Sequence, residues 1–184
     1  SIIRNIYPNL NFLYEIKMIV DNFFSNIFDT RNYLDYKGNF ILPNKSLNLF
    51  RGSEKYDPPY GWFGIGLKVL GKYENDDWLN KKDRSSSWAI AYHGVGRIST
   101  LDEINNMIKD IVCEGLKPGP SQIKCHFNDK RHIGKKIGTG VYLTPSINLA
   151  EEYSGIIPFN NKKYNIVIMA KVMINKIKEP EDKS

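Results

Sequence analysis

Three short motifs place ligand-holding residue types where backbone is also accessible. Tyr92-His93-Gly94 closes one apolar run, and Gly138-Thr139-Gly140-Val141-Tyr142 opens another, with Tyr153 following. Gly115-Leu116-Lys117 comes after an amphipathic stretch. A histidine leaving a strand can hold a sugar hydroxyl, because neutral imidazole offers one donor and one acceptor nitrogen. The glycine beside it lets a ligand reach backbone N–H and C=O groups with no Cβ in the way. Tyr142 and Tyr153 offer two flat faces for a planar ring. Together these parts describe a slot for a planar ring carrying an amide. Taken singly each is ordinary: a His-Gly pair occurs by chance, and a tyrosine is commonly half-buried structure.

The motifs need elements to hold them. Residues 88–94 read as a strand ending in His-Gly. Ser99 or Thr100 caps a helix from about Leu101, with Glu103 in its first turn. Ile104, Ile108, Ile111 and Val112 form its apolar face, and Gly115 stops it. Gly138 to Tyr142 is a turn entering a strand. Pro145-Ser146 opens a helix through Leu149, Ala150 and Tyr153, and residues 164–174 form a buried strand. Upstream, apolar residues in steps of three and four predict one amphipathic helix over residues 10–36, with a packing role. Residues 40–42 read as a short strand, 56–60 as a proline-bound loop, and 76–79 as a turn of helix. Residues 62–69 alternate as a strand whose Gly64 and Gly66 imply crowding by another backbone or a bulge. Residues 118–138 form a long loop without apolar period, and 178–184 a frayed tail. Strands interrupted by a few helices give an α+β fold with a mostly antiparallel sheet.

The chain has 184 residues, 41% of them hydrophobic and 12% aromatic, enough for a packed core and too many for general disorder. Isoleucine, asparagine and lysine make up about a third of it, which reflects coding bias more than chemistry. The net charge is +6, and Lys124, Lys130, Arg131, Lys135 and Lys136 concentrate much of the excess. That stretch suits a polyanion or a phosphate-bearing cofactor, or is simply a solvated loop. Phe127 is its one aromatic, too few for the stacking platforms of a dedicated nucleic-acid binder. Two cysteines, Cys113 and Cys125, exclude a disulfide scaffold. Cys125, His126 and His132 lack the four-ligand spacing of zinc, so no metal is expected. A Cys-His hydrolase using His93 lacks an identifiable orienting residue. No run of about 18 apolar residues exists, so no membrane span is expected. The opening Ser1-Ile2-Ile3-Arg4 is no signal peptide, and the lack of an initiator Met suggests part of a longer protein, cytoplasmic or nuclear.

The ordered set of motifs resembles the ADP-ribosyltransferase superfamily of the poly(ADP-ribose) polymerase and diphtheria-toxin type. The resemblance covers residues 88–174. It rests on Tyr92-His93-Gly94, Gly115-Leu116, Gly138-x-Gly140-Val141-Tyr142, Tyr153 and the apolar strand at 166–172, and the separation of the two tyrosines is similar as well. It implies a split, mostly antiparallel β-sheet in residues 51–184, C-terminally truncated, behind an N-terminal helical extension of residues 1–50. It implies NAD+ as co-substrate, with ADP-ribose passing to a protein or nucleic-acid acceptor as nicotinamide leaves.

By the same resemblance, His93 would bond the 2′-hydroxyl of the nicotinamide ribose and act with Tyr142 as a catalytic residue. The Gly94 backbone would grip the carboxamide, and Tyr142 and Tyr153 would sandwich the ring. Gly140 belongs to the cofactor-binding motif, and Lys117 stands near where the adenosine half would lie. The chain departs from the family at Val95, where Ser or Thr is usual, and at Ala150, where polymerase members carry serine. Glu179 and Glu181 lie in a polar tail and are not assigned as the third catalytic residue. The alternative is a catalytically inactive binding module on the same fold. Arg51 and Glu54 would serve a toxin-type site, but Arg51 is expected in an ordinary ion pair.

Overall fold

A computed structural model describes residues 2–4, 12–42, 49–80, 87–118, 135–136, 140–177 and 181–182. In chain order the elements begin with β1 (Ile2–Arg4), α1 (Phe12–Met18), α2 (Thr30–Tyr33), β2 (Phe40–Ile41), β3 (Phe50–Arg51) and β4 (Glu54–Lys55). Then come β5 (Trp62–Gly64), α3 (Asp77–Asn80), β6 (Trp88–Gly94), α4 (Leu101–Glu114) and β7 (Lys135–Lys136). The last are α5 (Ile147–Glu152), β8 (Ile156–Phe159), β9 (Lys162–Met173) and β10 (Glu181–Asp182). The fold is α+β, and every strand pairing among the described residues is antiparallel.

β9 organises the main sheet, whose order is β2–β5–β1–β9–β6, with β8 also on β9. Ile166, Val167 and Ile168 are all buried, so both faces of this strand are covered. Ile166 and Ile168 join an apolar cluster with Phe63, Val95 and the α4 residues Ile104, Ile108 and Val112. Val167 joins a second cluster with Tyr56, Trp62, Ile90, Tyr92, Ile147 and Ala150. Alternation along β9 thus divides the core into two layers.

The first fifty residues are not a separate extension. β1 lies between β5 and β9, pairing Ile3 with Phe63 on one side and with Ile166 on the other. Ile16, Ile19, Val20, Phe24 and Phe28 belong to the same cluster as Ile108 and Ile168. The expected boundary at residue 50 therefore does not divide the core. Three residues are too short to show strand periodicity, and their pairing partners are distant in sequence.

The single helix expected over residues 10–36 is also interrupted. A π-type turn at Ile19–Phe23 and a 3-10 turn at Phe24–Asn26 follow α1, and α2 starts anew. Ser25 Oγ and Asn26 Nδ2 donate to the carbonyls of Asp21 and Asn22, which competes with regular helix. Asp29 then caps α2 by accepting from the Arg31 amide at 3.0 Å. The strand expected over 62–69 ends at Gly64 because the 35–39 segment crosses it. The Gly66 amide donates to Asn39 Oδ1 at 2.9 Å, and a Cβ on Gly66 would meet Gly38 Cα at 2.7 Å.

Local signals downstream fare differently. Thr100 and Glu103 form the capping box, and Gly115, at φ +90°, donates its amide to Ile111 at 2.9 Å. Residues 141–143 carry no regular strand; the segment meets β6 through one bridge, Tyr92 to Thr144. The tail, expected frayed, contributes β10, which pairs with β7. The β8–β9 hairpin was not expected. Asn160 and Asn161 take φ of +48° and +59°, the left-handed pair that a two-residue hairpin turn requires.

Candidate functional site

The last two residues of β6 are the point at which the segments carrying Tyr142 and Tyr153 meet the His-Gly pair. The Tyr92 amide donates to the Thr144 carbonyl at 2.7 Å, and the Thr144 amide returns a bond to Tyr92 at 3.0 Å. Antiparallel alternation then turns the His93 backbone towards β9 and carries the Gly94 N–H and C=O onto the Thr144 edge. The side chain of Tyr92 is fully buried, and its hydroxyl donates to the Asp57 carbonyl at 2.7 Å. The Asp57 amide in turn donates to Pro145 O at 2.9 Å. The proline-bound loop therefore braces the segment carrying Tyr142 against β6.

His93 is tied to that same segment. Its Nδ1 lies 2.9 Å from the Tyr142 carbonyl. A carbonyl only accepts, so Nδ1 carries the hydrogen and the Nε2 lone pair of the neutral ring is the acceptor. Burial holds the His93 pKa below its ordinary 6.5, against the opposing pull of this hydrogen bond. Tyr142 is half-buried, and burial raises its pKa, so the phenol keeps its proton at neutral pH.

Gly94 faces α5. A Cβ there would run into the Ala150 carbonyl and would stand 2.7 Å from the Tyr153 carbonyl carbon. The glycine is thus required by the close approach of β6 to the end of α5, and it seats Tyr153 against the strand. Beyond it, the Gly155 amide donates to Val95 O at 2.7 Å, and Gly96 bridges to Ser154. His93 holds the backbone of Tyr142 and Gly94 abuts that of Tyr153, so adjacent β6 residues gather both tyrosines.

The remaining sequence-derived residues are placed less centrally. A Cβ on Gly140 would meet nothing within 4 Å, so this glycine is not demanded by packing. Lys117 is exposed past the end of α4, with its ammonium 2.7 Å from Glu114 Oε2. Val95 and Ala150, where hydroxyls would be usual in the resembled family, are buried in opposite apolar layers. Arg51 sits over the Tyr56 ring at 5.6 Å and donates to Phe50 O at 2.9 Å, and among the described residues it makes no ion pair. Cys113 packs, like Tyr33, against the larger cluster.

Two features escaped the sequence reading. One is the brace from Tyr92 through Asp57 to Pro145, which the loop-forming prolines hint at. The other is Arg97, whose guanidinium lies over the Tyr153 ring at 5.1 Å from the centroid. Its only signal in the chain is a position three residues after Gly94.

Cys125, His126, His132, Lys124, Lys130 and Arg131 lie outside the described residues, and so do the side chains of Lys135 and Lys136. Among the described residues no three of His, Cys, Asp and Glu gather as a metal site, and no helix is long and apolar enough to cross a membrane. Comparisons with protein-family models, curated proteins and solved structures find no match for the chain.

Proposed function

We propose that this chain carries an ADP-ribosyltransferase-type split sheet and takes NAD+ as co-substrate, passing ADP-ribose to a protein or nucleic-acid acceptor in the cytoplasm or nucleus. The observation that supports it most is the 2.9 Å contact of His93 Nδ1 with the Tyr142 carbonyl, beside the close packing of Gly94 on Tyr153. It joins motifs that are far apart in the chain around one strand end. NAD+ supplies an ADP-ribosyl group on a leaving nicotinamide.

The residues present fit such a donor in part. His93 Nε2 is the acceptor for a ribose hydroxyl, and the imidazole stays neutral near pH 7 because burial lowers its pKa. The Gly94 amide and carbonyl are a donor–acceptor pair that matches a carboxamide. Tyr142 and Tyr153 supply the ring faces. Lys117, already engaged by Glu114 on the surface, would have to change partner to reach a phosphate.

The burial of Val95 and Ala150 favours a second reading, a binding module without turnover. Each missing hydroxyl costs the ligand about 0.5–1.5 kcal/mol of hydrogen bonding. Calorimetric titration of the chain with NAD+, on wild type and Tyr142→Ala, tests the site. Binding by wild type that is lost in the variant is the expected result. A folded wild type that binds no NAD+ would sink the donor-site reading. Release of nicotinamide from NAD+ in the presence of acceptor separates the transferase from the binding module.

A further inference from the structure

The turn after His93-Gly94 delivers one cation to one ring. Gly96 takes φ of +81°, and a Cβ there would meet Ile104 Cγ1 at 2.5 Å. The Ser99 amide closes this turn on the Gly96 carbonyl at 3.2 Å. Gly96 bridges to Ser154, and the Gly155 amide donates to Val95 O. These backbone contacts lay residue 97 alongside residue 153. The exposed Arg97 accordingly rests its guanidinium on the half-buried Tyr153 ring, 5.1 Å from the centroid.

A tyrosine face carries negative potential, and a planar cation over it uses that potential. A ring that is to stack on this face of Tyr153 must share or displace Arg97. A neutral ring loses about two- to fivefold in affinity by displacing an exposed cation–π contact. A cationic ring pays that and also brings a second positive charge close to the first. At about 4 Å such a pair costs roughly a further fivefold in full solvent, and more as water is excluded.

We propose that Arg97 is a charge filter on the Tyr153 face, which accepts a neutral planar ring and disfavours a cationic one. Resting on the nicotinamide slot described above, the filter makes the site hold free nicotinamide more readily than the pyridinium of the intact dinucleotide. Arg97 is then a specificity-determining residue, and it governs how the slot ranks a donor against its released ring.

The test uses two probes that differ in charge at one ring: neutral nicotinamide and the cation 1-methylnicotinamide. Wild type, Arg97→Gln and Arg97→Lys are titrated with each, by calorimetry, at about 20 mM and about 300 mM salt. Arg97→Gln is expected to bind the cation about tenfold tighter or better and the neutral ring no more than about fivefold tighter. Arg97→Lys, which keeps the charge, should keep the wild-type ranking. The gain for the cation should shrink at the higher salt, since exposed charges are screened. Equal gains for both rings, unchanged affinities, or weaker binding in Arg97→Gln would overturn the filter and leave the slot standing. If neither ring binds any of the three proteins while their circular dichroism and melting curves coincide, the slot itself falls, and the filter with it.

Discussion

On one face of β9, Ile166 and Ile168 meet aliphatic and phenylalanine side chains from α1, α4 and β5; on the other, Val167 meets Tyr56, Trp62, Ile90 and Tyr92. The first layer is built mainly of apolar side chains held by burial. The second uses polar handles: the Tyr92 hydroxyl reaches the Asp57 carbonyl, and Asp57 reaches Pro145. Non-directional burial can stabilise a fold without fixing where a loop sits. Hydrogen bonds from buried aromatics do fix it. The candidate site is built where the aromatic layer meets the strand end, which separates the side chains that stabilise from those that position.

The separation can be broken most forcefully from the aliphatic side. Ile108 is 1% exposed in the centre of the larger cluster. Ile108→Ala should lose about 2–5 kcal/mol in urea unfolding through its cavity. Nicotinamide affinity of the folded protein should stay within twofold, roughly the scatter for sites without shared partners. A matching fall in affinity would show that the two layers are not independent. Gly94→Ala attacks the junction. The added methyl meets backbone atoms at Ala150 and Tyr153, so α5 must move. About 1–3 kcal/mol of stability should go with it, and ring binding should be lost altogether. Retained binding would mean that α5 does not set the position of Tyr153.

The smallest effect sharpens the comparison through pH. Burial lowers the His93 pKa from 6.5, so the unfolded chain takes up this proton at a higher pH than the folded one. The His93 contribution is therefore complete above about pH 6.5 and is lost as the pH falls through the folded value. Urea midpoints between about pH 8 and pH 5 should fall further for wild type than for His93→Gln. Parallel curves would place His93 in a solvent-like setting and weaken its tie to Tyr142.

Local chemistry was readable from the chain, and long-range pairing was not. The strand at 88–94, the Thr100–Glu103 box and the Gly115 stop depend on neighbours within a few residues, so their spacing betrays them. Asn160-Asn161 is a legible hairpin turn of the same kind, although only the second of its strands is expected from the sequence. β1 has no such signature: Ile2-Ile3-Arg4 becomes a strand through partners at 62–64 and 165–167. The site divides the same way. His93, Gly94, Tyr142 and Tyr153 could be picked out by type. Their meeting depends on a hydrogen bond across 49 residues and on a glycine pressed against a helix end. Arg97 was missed because an exposed arginine in a glycine turn looks like any other until a ring lies beneath it.

The central position of β1 bears on how the chain is made. Ile2 pairs with Val167, so the middle of the sheet joins segments that leave the ribosome roughly 165 residues apart. At about 5–20 residues per second, the segment of β1 waits many seconds for its partner. Until then the edge of β1 that will face β9 lacks its neighbour, a template for pairing with other chains. Contacts so distant along the chain also slow refolding in vitro. Production of this protein should therefore respond more to chaperones that shield open strand edges, and to slower synthesis at low temperature, than to any change in its aliphatic core.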